Sequence, residues 1–324
     1  MTNAITVTNL VKRFGNHVAV DGISFEVPRG QIYGILGPNG AGKSTTLRML
    51  NDVIAADDGE IRLLGDHKPG PEVGARIGYL PEERGLYPKM KVQEMVELMG
   101  ELHGLSRADS RTRAGTWLEK LGLGEWKQNK VQDLSKGMQQ KVQFATALIH
   151  EPELVILDEP WSGLDPINAE VLRDAVQEVR KAGRTVLFST HQMEQAEKLC
   201  DAVCIIARGK KVLDGNLRAL KQAAAADGLV ALAFADDASR AAAEGPLADR
   251  ALVAEKRPPQ PGELEDCEVA LAKGAKPQQL VQALVAAGAN LTRFELRVPS
   301  LHQIFVERVG ADAAVASRHE EGAR

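Results

Sequence analysis

Three short apolar runs stand out along the first two thirds of the chain: Ile32-Tyr-Gly-Ile-Leu36, Leu154-Val-Ile-Leu157 and Thr185-Val-Leu-Phe-Ser189. Runs without polar alternation suit strands buried on both faces of a mostly parallel sheet. Between them the period changes to that of a helix. Val92, Met95, Val96, Met99 and Leu102 recur at helical spacing, and Ser106 with Asp109 predicts a capping box opening a further helix. Asp165-Pro166 supplies an N-cap and a first-position proline ahead of Val171, Leu172, Ala175, Val176 and Val179. These patterns predict an α/β domain over residues 1–218 with a helical insertion at about 91–150. From about Leu220 the chain turns Ala-rich (Ala223 to Ala226, Ala241 to Ala243) and is then interrupted by Pro258-Pro-Gln-Pro261. Strands near 229–234, 251–255, 268–272 and 292–298, and helices near 277–288 and 300–309, predict a small α+β domain over 219–310. Ser300 and Gln303 form a capping box for the last helix. Residues 311–324, low in hydrophobicity, read as a disordered tail.

Charge and composition narrow the function classes. The 324 residues carry 40 Lys+Arg against 44 Asp+Glu, a net charge of -4, which argues against a broad nucleic-acid binder. No apolar run approaches the roughly 18–20 residues of a membrane-spanning helix. Met1-Thr-Asn-Ala-Ile-Thr-Val lacks the features of a secretory signal. Three cysteines are too few for a disulfide scaffold, so a reducing cytoplasm is the expected setting.

Gly37-Pro38-Asn39-Gly40-Ala41-Gly42-Lys43-Ser44, followed by Thr45, matches a P-loop and is placed as one, after a strand and at the start of a helix. Glycines let the backbone curl so that several N–H groups converge on phosphate oxygens, and the helix N-terminus adds partial positive charge. Lys43 supplies a full charge for the β- and γ-phosphates, and the Ser44 hydroxyl suits Mg²⁺. The motif predicts a nucleoside triphosphate site.

Two carboxylates, Asp158 and Glu159, end the Leu154–Leu157 run, where ligands sit in open α/β sheets. Asp158 is expected to hold Mg²⁺ and Glu159 to polarise a water for attack on the γ-phosphate. The plain alternative is a strand ending in solvated acids. His191 follows the third run as Ser-Thr-His, again at a carboxyl end. Leu134-Ser135-Lys-Gly137-Met-Gln-Gln precedes an apolar helix, so Ser135 and Gly137 sit at a helix N-terminus, an anion site or an ordinary cap.

In this order and spacing, the P-loop, LSKGMQQ, the acidic pair, Ser162-Gly-Leu-Asp165 and Ser-Thr-His191 resemble an ABC-type ATPase cassette over about residues 4–215. The resemblance implies the P-loop NTPase fold with a helical subdomain, ATP and Mg²⁺ as cofactors, and two cassettes meeting head to tail. Ser135 and Gly137 of one copy would then close on the γ-phosphate held by the other. It implies that Phe14 stacks on adenine, that Asp165 couples the two sites and that His191 contacts the γ-phosphate. One position departs from the family: Glu82 in Tyr79-Leu-Pro-Glu82-Glu83 stands where a Gln usually reaches Mg²⁺ and the attacking water. Glutamate can still ligate Mg²⁺ but adds negative charge there.

Tyr79 to Met90, together with Pro299-Ser-Leu-His-Gln-Ile-Phe-Val-Glu307, resembles ATPase subunits of sodium- or drug-exporter-like ABC systems, which carry a small C-terminal domain. The resemblance implies a homodimer on the cytoplasmic face of the cell membrane, with separate polytopic membrane subunits and no nucleic acid. A groove beside Leu86, Tyr87, Pro88 and Met90 would receive a short helix of the membrane subunit; for those side chains the alternative is core packing. A soluble ABC-type ATPase acting on ribosomes or DNA is the competing class. Its members carry a second cassette, a long coiled coil between P-loop and signature, or paired Cys-x-x-Cys zinc sites. Here there is one P-loop, only residues 45–134 lie in between, and Cys200-Asp-Ala-Val-Cys204 reads as a buried structural pair. A nucleotide switch without turnover conflicts with Glu159 and His191.

Overall fold

The computed structural model describes residues 3–65, 67–83, 85–225, 228–258 and 265–310. The predicted tail at 311–324 lies outside the described residues. Two compact units result: one takes in the described residues up to Leu217 together with those from Val306 on, the other is Arg218–Phe305.

In the first unit the elements run β1 (Asn3–Phe14), β2 (His17–Pro28), β3 (Ile32–Leu36), α1 (Lys43–Leu50), β4 (Asp58–Leu63), α2 (Pro71–Gly74), β5 (Ile77–Leu80), α3 (Val92–Leu102), α4 (Arg107–Lys120) and α5 (Lys136–Leu148). They continue with β6 (Leu154–Asp158), α6 (Pro166–Lys181), β7 (Thr185–Thr190), α7 (Met193–Leu199), β8 (Ala202–Ala207) and β9 (Lys210–Asn216). A six-stranded sheet has the order β5-β6-β7-β3-β8-β9, parallel except for the edge strand β9. An antiparallel sheet of order β2-β1-β4 shares one apolar core with it, built from Ile5, Val7, Ile23, Phe25, Tyr33, Ile35, Leu47, Ile156 and Leu187 among others. On the opposite face Phe188 packs edge-on to Trp161, ring centroids 4.7 Å apart. With both faces covered, alternation has no use, and every residue of β3, β6 and β7 is buried.

The helical insertion is α3, α4 and α5, with two single turns between the last two. Ser106 caps α4 as expected, accepting from the Asp109 amide while its hydroxyl donates to the Asp109 carboxylate. The N-terminal antiparallel sheet was not legible: its register shifts at several points, one flanking Asn9, which has φ 48°. Cys204 is buried and Cys200 half-buried, both are free thiols, and burial pushes both up in pKa.

The second unit takes in α8 (Leu217–Ala225) from its second residue, then β10 (Leu229–Phe234), α9 (Asp237–Ala248), β11 (Val253–Arg257), β12 (Cys267–Leu271), α10 (Pro277–Ala286), β13 (Leu291–Leu296) and the part of α11 (Leu301–Val309) that precedes Val306. Its antiparallel sheet of order β11-β12-β10-β13 and its βαββαβ succession make it ferredoxin-like. Val230, Leu232 and Val269 of the sheet pack with Leu247 of α9 and Leu280 and Leu284 of α10. Two corrections apply. Helix α9 was missed: Asp236 caps it through the Ser239 amide, and its alanines are strong helix formers that carry it as far as Pro246 near its end. The β11 strand lies two residues later than expected.

Candidate active site

The register of the parallel sheet assembles the site. Leu36 pairs with Thr190, Asp158 with Ser189 and Leu80 with Leu157. The carboxyl ends of β3, β5, β6 and β7 therefore meet on one rim, bringing together the loop after Leu36, the Asp158-Glu159 pair, Thr190-His191 and the Pro81–Glu83 segment.

Gly37 and Gly42 are required by the turn between β3 and α1. At φ 152° and 103°, a Cβ on either would lie 2.1 Å from the Ile206 carbonyl oxygen and 2.4 Å from that of Ala19. Asn39 and Gly40 are exposed at the tip, Pro38 is half-buried and Ala41 is buried. No side chain caps α1. The first-turn amides of Lys43, Ser44 and Thr45 thus lack helical acceptors and lie at the positive end of the helix. Lys43 is 5% exposed; its Nζ donates to the carbonyls of Gly37 (2.9 Å) and Pro38 (3.2 Å) and sits 3.4 Å from Glu159 Oε1.

The two acids are buried, which removes the reading of a solvated strand end. Asp158 Oδ1 accepts from Ser44 Oγ (3.0 Å) and Ser189 Oγ (2.5 Å), while the buried Oδ2 has no hydrogen-bond partner. Burial raises the Asp158 pKa, and the two hydroxyls oppose that rise. Glu159 is in the left-handed region at φ 48°, a strained place for a non-glycine residue. Its amide donates to Ser189 Oγ at 3.0 Å. Its carboxylate lies between Lys43 and His191, whose Nδ1 is 3.1 Å from each oxygen.

A second group of predicted residues gathers at the start of α5. Ser135 caps that helix, accepting from the Met138 amide at 3.3 Å. Gly137 backs onto the first turn of α6 and the loop before it, where an added Cβ would lie 3.3 Å from Asn168 Nδ2 and 3.4 Å from Leu164 Cδ2. Asp165 accepts from the Asn168 amide (3.0 Å) and side chain (2.5 Å), which holds its carboxyl below the usual range. Phe14, half-exposed at the end of β1, has Lys12 Nζ 5.5 Å from its ring centroid. Glu82 is exposed, on a segment whose Pro81 and Glu83 carbonyls accept from Gln143 Nε2 of α5 at 2.9 and 3.2 Å. Tyr79, at the head of that segment, is pushed up to about 12 by burial, with the Asp158 charge adding to it. Tyr87 and Pro88 are exposed and Leu86 and Met90 half-buried, so core packing does not account for Tyr87.

Sequence reasoning missed Ser189 and Gln143. Ser189 left a signal, as a polar residue closing an otherwise apolar buried strand. Gln143, one of several Gln on its helix, left none.

A phosphate-binding loop, a buried Asp beside its Ser, and a Glu–His pair on the same rim define a P-loop nucleoside triphosphatase. Comparison with known proteins agrees. Residues 20–162 match the family described as ABC transporter, and 215–309 match the ATP-binding protein DrrA1-3-like C-terminal domain. The uncharacterized ABC transporter ATP-binding protein YhaQ of Bacillus subtilis (strain 168) is 39% identical over 307 residues, covering 95% of this chain and 99% of that one. The Nod factor export ATP-binding protein I of Cupriavidus metallidurans is 39% identical over 218 residues, covering 67% of this chain and 72% of its own. A solved ATP-binding subunit of an ABC transporter superposes with a TM-score of 0.63 at 31% identity, covering 68% of this chain and 92% of that one. The chain belongs to the ATP-binding proteins of ABC transporters, ATPases coupled to transport, and carries a DrrA-like C-terminal domain.

Proposed function

We propose that this chain powers an exporter as a homodimer at the cytoplasmic face of the membrane, residues 1–218 forming the cassette and 219–310 an accessory domain. Export is supported by the resemblance to the Nod factor export ATP-binding protein. Among the described residues no helix is long and apolar enough to cross a membrane, so the transport path is assigned to separate membrane subunits. The exposed Tyr87 and Pro88, with Leu86 and Met90, form the surface assigned to a helix of such a subunit.

The observation that carries the catalytic reading is the buried, unpartnered Asp158 Oδ2 beside the Ser44 hydroxyl. Two hard oxygen donors fit Mg²⁺, which takes few protein ligands and completes its shell with water and phosphate oxygens. Ser44 and Asp158 would hold it, with Glu82 reaching it from the Pro81–Glu83 segment. The ion, when bound, neutralises phosphate charge. Phe14 stacks the base, the Gly37–Thr45 loop binds the phosphates, and Lys43 exchanges its backbone carbonyls and Glu159 for phosphate oxygens. Freed of that ion pair, Glu159 polarises the attacking water, and His191 orients the Glu159 carboxylate and meets the γ-phosphate. Ser135 and Gly137 reach that phosphate from the second copy, and Asp165, adjacent to them through Asn168 and Leu164, couples the two sites.

Glu159→Gln tests the reading. Hydrolysis is expected to fall by about 10²–10⁴-fold, the usual share of a general base, while ATP with Mg²⁺ shifts the variant to a dimer in gel filtration. Turnover at the wild-type rate would remove Glu159 from its role. A variant that stays monomeric with ATP would remove the head-to-tail pairing. Co-purification of the tagged chain from native membranes tests the partner: a stoichiometric polytopic protein is expected.

A further inference from the structure

We propose that Ser189 is a positioning residue for hydrolysis, its one hydroxyl holding both Asp158 and Glu159 in their working orientations. The inference rests on the reading of Asp158 as the Mg²⁺ ligand and Glu159 as the base, and assigns what keeps them there.

Strand pairing places Ser189 directly opposite Asp158 on the neighbouring parallel strand. A serine hydroxyl has one proton to give and lone pairs to receive. Here the proton goes to Asp158 Oδ1 at 2.5 Å, and the oxygen receives the Glu159 amide at 3.0 Å. Ser189 and Asp158 are fully buried and Glu159 is 7% exposed, so bulk water cannot replace either bond.

Two consequences follow from this geometry. Ser44 also donates to Asp158 Oδ1. Both hydroxyls therefore engage the same oxygen, which fixes the carboxylate rotation and leaves Oδ2 as the oxygen on offer. The second concerns Glu159, whose left-handed backbone at φ 48° persists only where its surroundings hold it. The Ser189 bond anchors the amide at that kink, and the kink aims the side chain between Lys43 and His191. An alanine at 189 would release the carboxylate and the kink together.

The test compares Ser189→Ala, Ser189→Thr and Ser189→Cys. In Ser189→Ala, kcat is expected to fall about tenfold or more with KM for ATP within about threefold, since misplacement of a reacting group by about 1 Å costs about 10²-fold. A readout independent of turnover is the Mg²⁺ dependence of binding, followed with a fluorescent non-hydrolysable ATP analogue. The half-saturating Mg²⁺ concentration is expected to rise several-fold while Mg²⁺-free binding stays unchanged. Ser189→Thr, which keeps a hydroxyl, should restore both quantities. Should the alanine variant not fold, Ser189→Cys keeps the volume with a sulfur that bonds weakly, and the same shifts are expected of it. A wild-type kcat and Mg²⁺ midpoint in Ser189→Ala would overturn the proposal. So would a folded Ser189→Thr as slow as the alanine variant. Asp158→Asn separates the two layers. If binding to the wild type does not depend on Mg²⁺, or Asp158→Asn keeps the wild-type midpoint, the metal assignment fails. In Asp158→Asn the half-saturating Mg²⁺ concentration is expected to rise above the wild-type value; where it does and Ser189→Ala shows no shift, the Ser189 assignment alone fails.

Discussion

Replacing Gln143 with Leu should leave global stability nearly unchanged while loosening the segment that carries Glu82. Gln143 is 4% exposed on α5, and its amide nitrogen ties that helix to the Pro81 and Glu83 carbonyls at 2.9 and 3.2 Å. At about 1 kcal/mol net per hydrogen bond, their loss costs about 2 kcal/mol. The same side chain, however, carries an oxygen, Oε1, that is buried with no partner. Removing such an atom returns about 1–3 kcal/mol, and leucine nearly matches the lost volume. The two effects offset, so the denaturation free energy is expected to stay within about 1.5 kcal/mol of wild type. Locally there is no offset, because the tethers are gone. Glu82 and Glu83 are exposed, so a Glu-specific protease reads the change directly, with cleavage at other exposed glutamates as the internal control. Two kcal/mol of lost restraint corresponds to roughly thirty-fold faster cleavage where cleavage requires opening. Unchanged cleavage, or a global loss above about 3 kcal/mol, would show that Gln143 serves the core and does not tether this segment.

Lys43→Ala should weaken binding of a fluorescent ATP analogue by at least about tenfold, since no other cation in the loop supplies the phosphate charge; unchanged affinity would contradict the phosphate assignment. Gly42→Ala places a Cβ 2.4 Å from the Ala19 carbonyl at φ 103°, so both the thermal midpoint and analogue binding should drop. His150 is stacked on His103 at 3.7 Å, and burial, with the neighbouring His103, pushes it down to about 4. The folded chain then binds fewer protons than the unfolded one, whose histidine titrates near the usual value of about 6.5. Stability should fall as pH drops from about 6.5 toward 4, and burial gives His103 the same sign. His150→Phe should shrink the difference between denaturant midpoints at pH 7 and pH 5; an unaltered difference would assign the acid sensitivity to other groups.

What was legible in the sequence is what short stretches of chain determine. The P-loop announces itself because glycine spacing, Lys43 and Ser44 are all needed within one turn. The Ser106, Asp165 and Ser300 caps hold because each acceptor and its amide lie three residues apart. Illegible features depend on partners distant in the chain. Ser189 acquires its role from residues about thirty positions earlier, and Gln143 from carbonyls about sixty earlier, distances at which no local pattern speaks. The same distinction orders the chemistry. Asp158 and Glu159 could be read as ligand and base from their place at a strand end. That Asp158 offers one oxygen and keeps the other engaged follows only once β6 and β7 pair in register. In this protein the sequence names the groups proposed to act, and the sheet decides which atom of each is free to do so.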